Sequence, residues 1–382
     1  MKLPFIFGKL AISNNFTGRE KEIERIINNA DSGINTMLIS PRRWGKSSLV
    51  KEASIGATQN NKKLKVCYID VFELGSESEF YQVLAEEVIK ATSSRMDEIG
   101  SFVQKFMTKL LPKISYSPDN MQEFELGFNW SDFKKNASEV LDLAEKIAAE
   151  KDYEILICLD EFQDISKFKD PLAFQKKLRS HWQKHQKVSY ILYGSKRHMM
   201  MDIFTSPKMP FYKFGDVIFL EKIKEEVWIP FIQQKFTETK KKINEKEVRL
   251  IVKLTENHPY YVQQLAQLSW LRTKTSCKSA SIREAHDTLS RHLSLLFQNI
   301  TYSLSITQTQ FLKALVNGEE KLSSKLVLEK YMLGSSANIS KLKKALADRE
   351  ILDIVESHIN FTDPLYKYWL KTYCFNTKKR NS

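Results

Sequence analysis

The chain has 382 residues, 42% of them hydrophobic, which is too many for one ordinary core and suits two or three domains. No run approaches the roughly 18 apolar residues of a membrane span, and Met1 to Phe7 lacks the apolar segment of a secretory signal, so a cytoplasmic protein with no membrane partner is expected. Cys67, Cys158, Cys277 and Cys374 include no C-x-x-C pair, which argues against a disulfide framework or zinc site, and a net charge of +13 points towards a polyanion partner or scattered solvated lysines.

Along the chain, Gly18-Arg19 reads as a turn entering a helix from Glu20. The apolar run Met37-Leu38-Ile39 then precedes Ser40-Pro41-Arg42-Arg43-Trp44-Gly45-Lys46-Ser47-Ser48, which leads into the helix-like Leu49 to Glu52. This is the pattern of a phosphate-binding loop between a strand and a helix. The chemistry needs backbone N–H groups to cradle phosphate oxygens, a lysine for the β- and γ-phosphates, and a hydroxyl for Mg²⁺. Gly45, Lys46 and Ser47 supply that ending, while Ser40 stands where the G-x-x-x-x-G-K-[ST] pattern has its first glycine.

Further apolar runs at Thr36 to Ile39, Lys65 to Phe72, Glu154 to Leu159, Val188 to Tyr193 and Asp216 to Leu220 alternate with helix-like segments. That alternation predicts a parallel α/β sheet. Between them the pattern breaks, and Pro112 to Ser117 with Phe124 to Phe128 reads as an inserted β-hairpin around Pro118-Asp119-Asn120. The run Glu154 to Leu159 ends in Asp160-Glu161. In a Mg²⁺-dependent nucleotidase Asp160 would hold the metal and Glu161 would orient the attacking water, whereas the bland alternative is a solvated turn. His181 and His185 stand four apart, but Trp182 occupies the place where a zinc-protease pattern needs Glu, so they read as packing or solvated histidines.

After Leu220 apolar residues recur at helical spacing from Lys224 to Ser290, interrupted at Asn257-His258-Pro259, with Pro259 suited to a helix's first turn. Three helix-like segments, Thr307 to Val316, Ser324 to Tyr331 and Ser336 to Ala347, precede apolar runs Ile351 to Val355 and His358 to Phe361. That is the winged-helix order. In its third helix Ile339, Leu342 and Leu346 share one face, with Lys341 and Lys344 elsewhere, as in a helix that presents lysines to phosphates.

Both phosphate motifs, together with Phe16-Thr17-Gly18-Arg19-Glu20-Lys21-Glu22, Tyr193-Gly194-Ser195, Asn257-His258-Pro259-Tyr260-Tyr261 and Asp363 to Leu370, resemble the archaeal-type ATPases within the AAA+/STAND group of P-loop NTPases. The resemblance implies an α/β P-loop ATPase domain over 1–222, with the hairpin insertion inside 91–150. A helical lid over 223–300 and a winged helix over 301–382 would follow. It implies ATP or ADP with Mg²⁺ as ligands, held by Pro41, Arg42, Arg43, Trp44, Gly45, Lys46, Ser47 and Ser48, with Ser47 and Asp160 on the metal. Phe16, Gly18 and Arg19 would line the adenine and ribose side, and His258 and Pro259 would approach the base, Asn257 replacing the usual glycine. A Ser-Pro-Arg-Arg start to the loop is a familiar variant in this family. Lys46, Asp160, Glu161 and Ser195 would form the catalytic set, Ser195 as the polar sensor near the γ-phosphate. The charge-stabilising arginine would be Arg179 or Arg197, or would come from another subunit of a nucleotide-dependent homo-oligomer. The implied activity is that of an ATPase working as a nucleotide-driven switch associated with DNA. Its rivals are a winged-helix DNA-binding regulator with a structural nucleotide, and a protein-recruiting scaffold.

Overall fold

Four consecutive residues of Thr36–Ile39 (β1) are buried, which a strand tolerates only when both faces of its sheet are covered. In the computed structural model, which describes residues 3–93, 113–116, 124–127, 137–355 and 358–376, that strand lies inside a five-stranded parallel sheet. The others are Leu64–Asp70 (β2), Glu154–Asp160 (β5), Val188–Gly194 (β6) and Asp216–Phe219 (β7), in the order β2-β5-β6-β1-β7. The register aligns Asp70 with Asp160, and Ile39 with both Gly194 and Phe219, so the carboxyl ends form one edge. Lys113–Tyr116 (β3) pairs antiparallel with Phe124–Gly127 (β4), while Pro118-Asp119-Asn120 lies outside the described residues.

Contact density divides the chain into two compact units, one of residues 19–40 and 46–221, the other of 1–18, 41–45 and 222–382. In the first, Glu20–Asp31 (α1), Lys46–Asn60 (α2), Glu77–Thr92 (α3), Leu143–Lys151 (α4), Pro171–Trp182 (α5) and Arg197–Thr205 (α6) accompany the sheet. Their core joins Met37, Ile157 and Leu192 from strands to Phe80, Phe174 and Trp182 from helices. One strand is shorter than the pattern predicts. The run read as Lys65 to Phe72 leaves the sheet after Asp70, because the Asp70 carboxylate accepts the Phe72 N–H at 2.9 Å and caps the 3-10 turn Val71–Glu73.

The second unit is helical, with Glu225–Glu238 (α7), Glu245–Leu254 (α8), Pro259–Arg272 (α9), Ser279–His292 (α10) and Ser294–Tyr302 (α11). Ile306–Val316 (α12), Lys325–Lys330 (α13) and Ser336–Asp348 (α14) follow, then the antiparallel pair Leu352–Val355 (β8) and His358–Phe361 (β9), and Pro364–Trp369 (α15). A capping box of Ser305 and Gln308 starts α12, and Ser324 caps α13. The unit holds two clusters of buried apolar side chains, one around Trp228, Val262 and Trp270 and one around Phe297, Phe311 and Leu365. No described helix is long and apolar enough to cross a membrane.

Candidate nucleotide site

At the carboxyl edge of the sheet β1 ends at Ile39, and α2 begins at Lys46 with its first N–H groups unpaired within the helix. Arg43 and Gly45 both take left-handed backbone, φ 62° and 89°. A glycine suits that geometry, and a Cβ at 45 would meet nothing within 4 Å, so its requirement is conformational rather than steric. Lys46 is buried, with Nζ 3.5 Å from the Ser40 carbonyl. A buried ammonium at the first residue of a helix is placed for an anion there.

Ser47 Oγ donates to Asp160 Oδ2 at 2.7 Å, bringing together two residues 113 apart in sequence. Burial pushes the Asp160 carboxyl up to about 6, with the neighbouring Glu161 charge adding to the rise and Ser47 opposing it. A hydroxyl oxygen and a carboxylate short of compensating charge, both hard ligands, fit Mg²⁺. Among the described residues no cluster of three or more His, Cys, Asp or Glu side chains is placed to hold a metal ion.

Glu161 follows in left-handed backbone, φ 48°. Its Oε2 accepts from Ser195 N at 3.0 Å, Ser195 Oγ at 2.8 Å and Gln163 Nε2 at 2.6 Å. Burial alone would raise its pKa, but the Gln163 bond, the Lys46 charge and Ser195 outweigh that and hold it below the ordinary value. Ser195 is thus aimed at a carboxylate. Two neighbours were not singled out in the sequence: Gln163, and the buried Asp164, which pairs with Lys167 at 2.6 Å and Lys196 at 3.5 Å. Their signal was only their place two and three residues after Glu161, and it needed the left-handed turn to have meaning.

The two arginines part company. Arg197 opens α6, with Cζ 5.8 Å from the Phe219 ring at the sheet's carboxyl edge. Arg179 lies late in α5, with Cζ 4.8 Å from the Phe214 ring. Phe214 precedes β7 and its carbonyl accepts from Asn35, which places Arg179 at the amino edge of the sheet, opposite the edge that carries Asp160. Arg19 is buried beside Glu22, 3.2 Å away.

Within the helical unit, Gly18 has φ 72°, and a Cβ there would approach Ile223 and Val227 within 2.8 Å, so glycine is required twice over. Phe16 is half-buried. Loop residues of this unit have partners of their own: Arg42 pairs with Glu350 at 3.2 Å, Arg43 stacks 4.8 Å from the Tyr260 ring centre, and Lys222 lies 6.0 Å from that of Trp44; Pro41 is buried. Asn257 has φ 59°, a conformation asparagine shares with glycine, which accounts for its place here. Its Oδ1 is buried without a partner. His258 is buried beside it, and burial, with Lys222 and Arg43 adding, pulls the ring down to about 3, so it stays neutral. Pro259 opens α9.

A strand–loop–helix with Lys46 and Ser47 at the helix start, beside a strand ending in Asp160-Glu161, defines a P-loop ATPase of the Walker type. A family model described as an ATPase domain predominantly from Archaea matches residues 16–265, and the chain belongs to that family; ATP hydrolysis is its activity. Among solved structures, the Walker-type ATPase PABY2304 of Pyrococcus abyssi is similar at 16% identity and TM-score 0.65, covering 94% of this chain and 97% of that one. The ORC2 protein of Aeropyrum pernix, solved in ADPNP-ADP complexes, is similar at 14% identity and TM-score 0.57, with 94% of each chain covered. No curated protein matches the chain.

Proposed function

We propose that this ATPase is a Mg²⁺-dependent, nucleotide-driven switch in which Lys46 and the α2 N-terminus hold the phosphates and Glu161 activates the attacking water. The observation that carries the reading is Ser47 donating to Asp160 beside a Glu161 whose carboxylate is anchored through one oxygen. Ser47 and Asp160 would hold Mg²⁺, which when bound offsets charge on the β- and γ-phosphates. Lys46 contributes positive charge to the same phosphates. Glu161, kept ionised, accepts the proton of the attacking water. Arg197 is the arginine of this chain proposed to approach that edge. Phe16, Gly18 and Arg19 on the base and ribose side, and His258 with Pro259 at the base, are assigned on the family resemblance. Comparison of ATP turnover by wild type and Glu161→Gln, with ADP affinity measured in both, tests the reading; equal turnover rejects it.

We further assign 223–300 as a lid and 301–382 as a winged helix that contacts DNA. Support comes from α14, where Ile339, Leu342 and Leu346 are buried while Lys341 and Lys344 are exposed. A Lys341→Glu, Lys344→Glu protein should bind duplex DNA more weakly and with a shallower salt dependence, by about two in the logarithmic slope. Unchanged affinity and slope would favour a protein partner for this helix.

A further inference from the structure

We infer that Gln163 is a positioning residue for hydrolysis: its amide holds Glu161 by Oε2 so that Oε1 faces the attacking water. This rests on Glu161 being the water-activating carboxylate. All three described donors to Glu161, from Gln163 Nε2, Ser195 N and Ser195 Oγ, converge on Oε2, and among the described hydrogen bonds Oε1 accepts none. A carboxylate fastened at one oxygen by three donors has lost its rotational freedom while keeping a basic lone pair available. The Gln163 bond is the shortest of the three at 2.6 Å, as a charge-assisted contact would be.

What singles out Gln163 is the cost of keeping it there. The side chain is 1% exposed, and its Oε1 is buried with no hydrogen-bond partner. An unpaired buried carbonyl is destabilising, and an apolar side chain of the same shape would avoid it. The strand end also makes room for the amide: a Cβ at Gly194 would lie 1.8 Å from Gln163 Oε1 and 2.9 Å from Met200 Sδ. The lack of a side chain at 194 therefore leaves the amide its place at the end of β6. Packing alone explains neither an unpaired amide oxygen nor a donor aimed at a carboxylate already held twice. Alignment of the base explains both, because each added donor narrows the directions Oε1 can take.

The test is a cycle of Gln163→Met, which keeps length and loses the donor, with Glu161→Ala, read by single-turnover and steady-state ATP hydrolysis. In the Glu161 background Gln163→Met should lower kcat by about 10-fold or more, the range of one hydrogen bond to a charged group, and leave KM and ADP affinity within about twofold. In the Glu161→Ala background the same change should alter the residual rate by less than about twofold. Gln163→Asn, which keeps the amide but draws it back, should fall between wild type and Gln163→Met, and serves as the second variant if Gln163→Met melts below the assay temperature. A Gln163→Met kcat within twofold of wild type, while Glu161→Ala is inactive, overturns the role of Gln163 and leaves Glu161 standing. An equal loss in both backgrounds also overturns it, marking a packing role. A Glu161→Ala protein as active as wild type removes the base itself, a failure distinct from the other two.

Discussion

The two edges of the parallel sheet arrange their acidic side chains on opposite principles. At the amino edge each acid is closed by partners. Asp216 takes Arg25 through two bonds and Asn29 through another, Asp142 takes His181 at 2.7 Å and His185 at 3.3 Å, and Asp152 lies between Lys63 and Lys187. Bonds from Lys187 and Lys63 bring Asp152 down to about 2, and at Asp216 and Asp142 the partners outweigh a burial that would act upwards. At the carboxyl edge burial wins at Asp160 and at Asp70, both of which rise. There the donors gather on Glu161, and chiefly neutral groups supply them. On the function proposed above, the difference separates polar groups that finish the fold from groups that hold charge for a ligand.

Substitutions at the carboxyl edge should accordingly move activity more than stability. The largest expected effect is for Glu161→Gln, with kcat down by about 10²–10⁴-fold, the range for loss of a general base, and ATP affinity preserved. Steady-state turnover beside equilibrium binding of a fluorescent nucleotide separates the two quantities. Lys46→Ala comes next. Removing a charged phosphate contact should weaken ATP binding by about 10- to 100-fold, read by titration calorimetry, and binding as tight as wild type would put the phosphates elsewhere. Arg197→Ala and Arg179→Ala then set the edges against one another directly. Turnover should fall in the first and stay within about twofold in the second, since Arg179 stacks on Phe214 at the amino edge. The reverse result would break the comparison.

Much of the carboxyl edge was legible because the residues that build it are local in sequence. Ser40 to Ser48 and Asp160-Glu161 each carry their chemistry in a short string attached to an apolar strand, and the sheet brings the strings together by pairing β5 with β6 and β6 with β1. Gln163 was not legible, since its relation to Glu161 depends on a left-handed turn at a non-glycine residue and on the absence of a side chain at Gly194. The choice between Arg179 and Arg197 was equally closed to sequence. Both lie near Ser195 in number, and only the direction of α5, which runs back towards the start of β6, sends one of them to the far edge. The histidines show the same limit from the other side: His181 and His185 read as packing or solvated residues, and Asp142, nearly forty residues before His181, could not be named as their shared acceptor.

The amino edge gives the smallest effects, and they are effects on stability. Arg25→Ala removes the two hydrogen bonds donated to Asp216 at a half-exposed position, so about 1 kcal/mol or less is expected in chemical denaturation, with turnover unchanged. His185 gives the finest test because its expected signature is a pH dependence. Its ring is buried, burial pulls its pKa below the ordinary 6.5, and Asp142, Glu145 and His181 are the charged or titratable groups that act on it, with the Tyr190 hydroxyl on Nδ1 at 2.8 Å. A base whose folded pKa is depressed contributes stability that is present above its unfolded value and lost as pH falls through the folded one. Wild-type melting temperature should therefore decline as pH drops below about 6.5, and His185→Gln should flatten that limb while ATP turnover at neutral pH stays within about twofold. A substitution that left the acid limb unchanged but lowered turnover would mean that the histidine cluster communicates with the opposite edge. The separation of structural from functional polarity across this sheet would then fail.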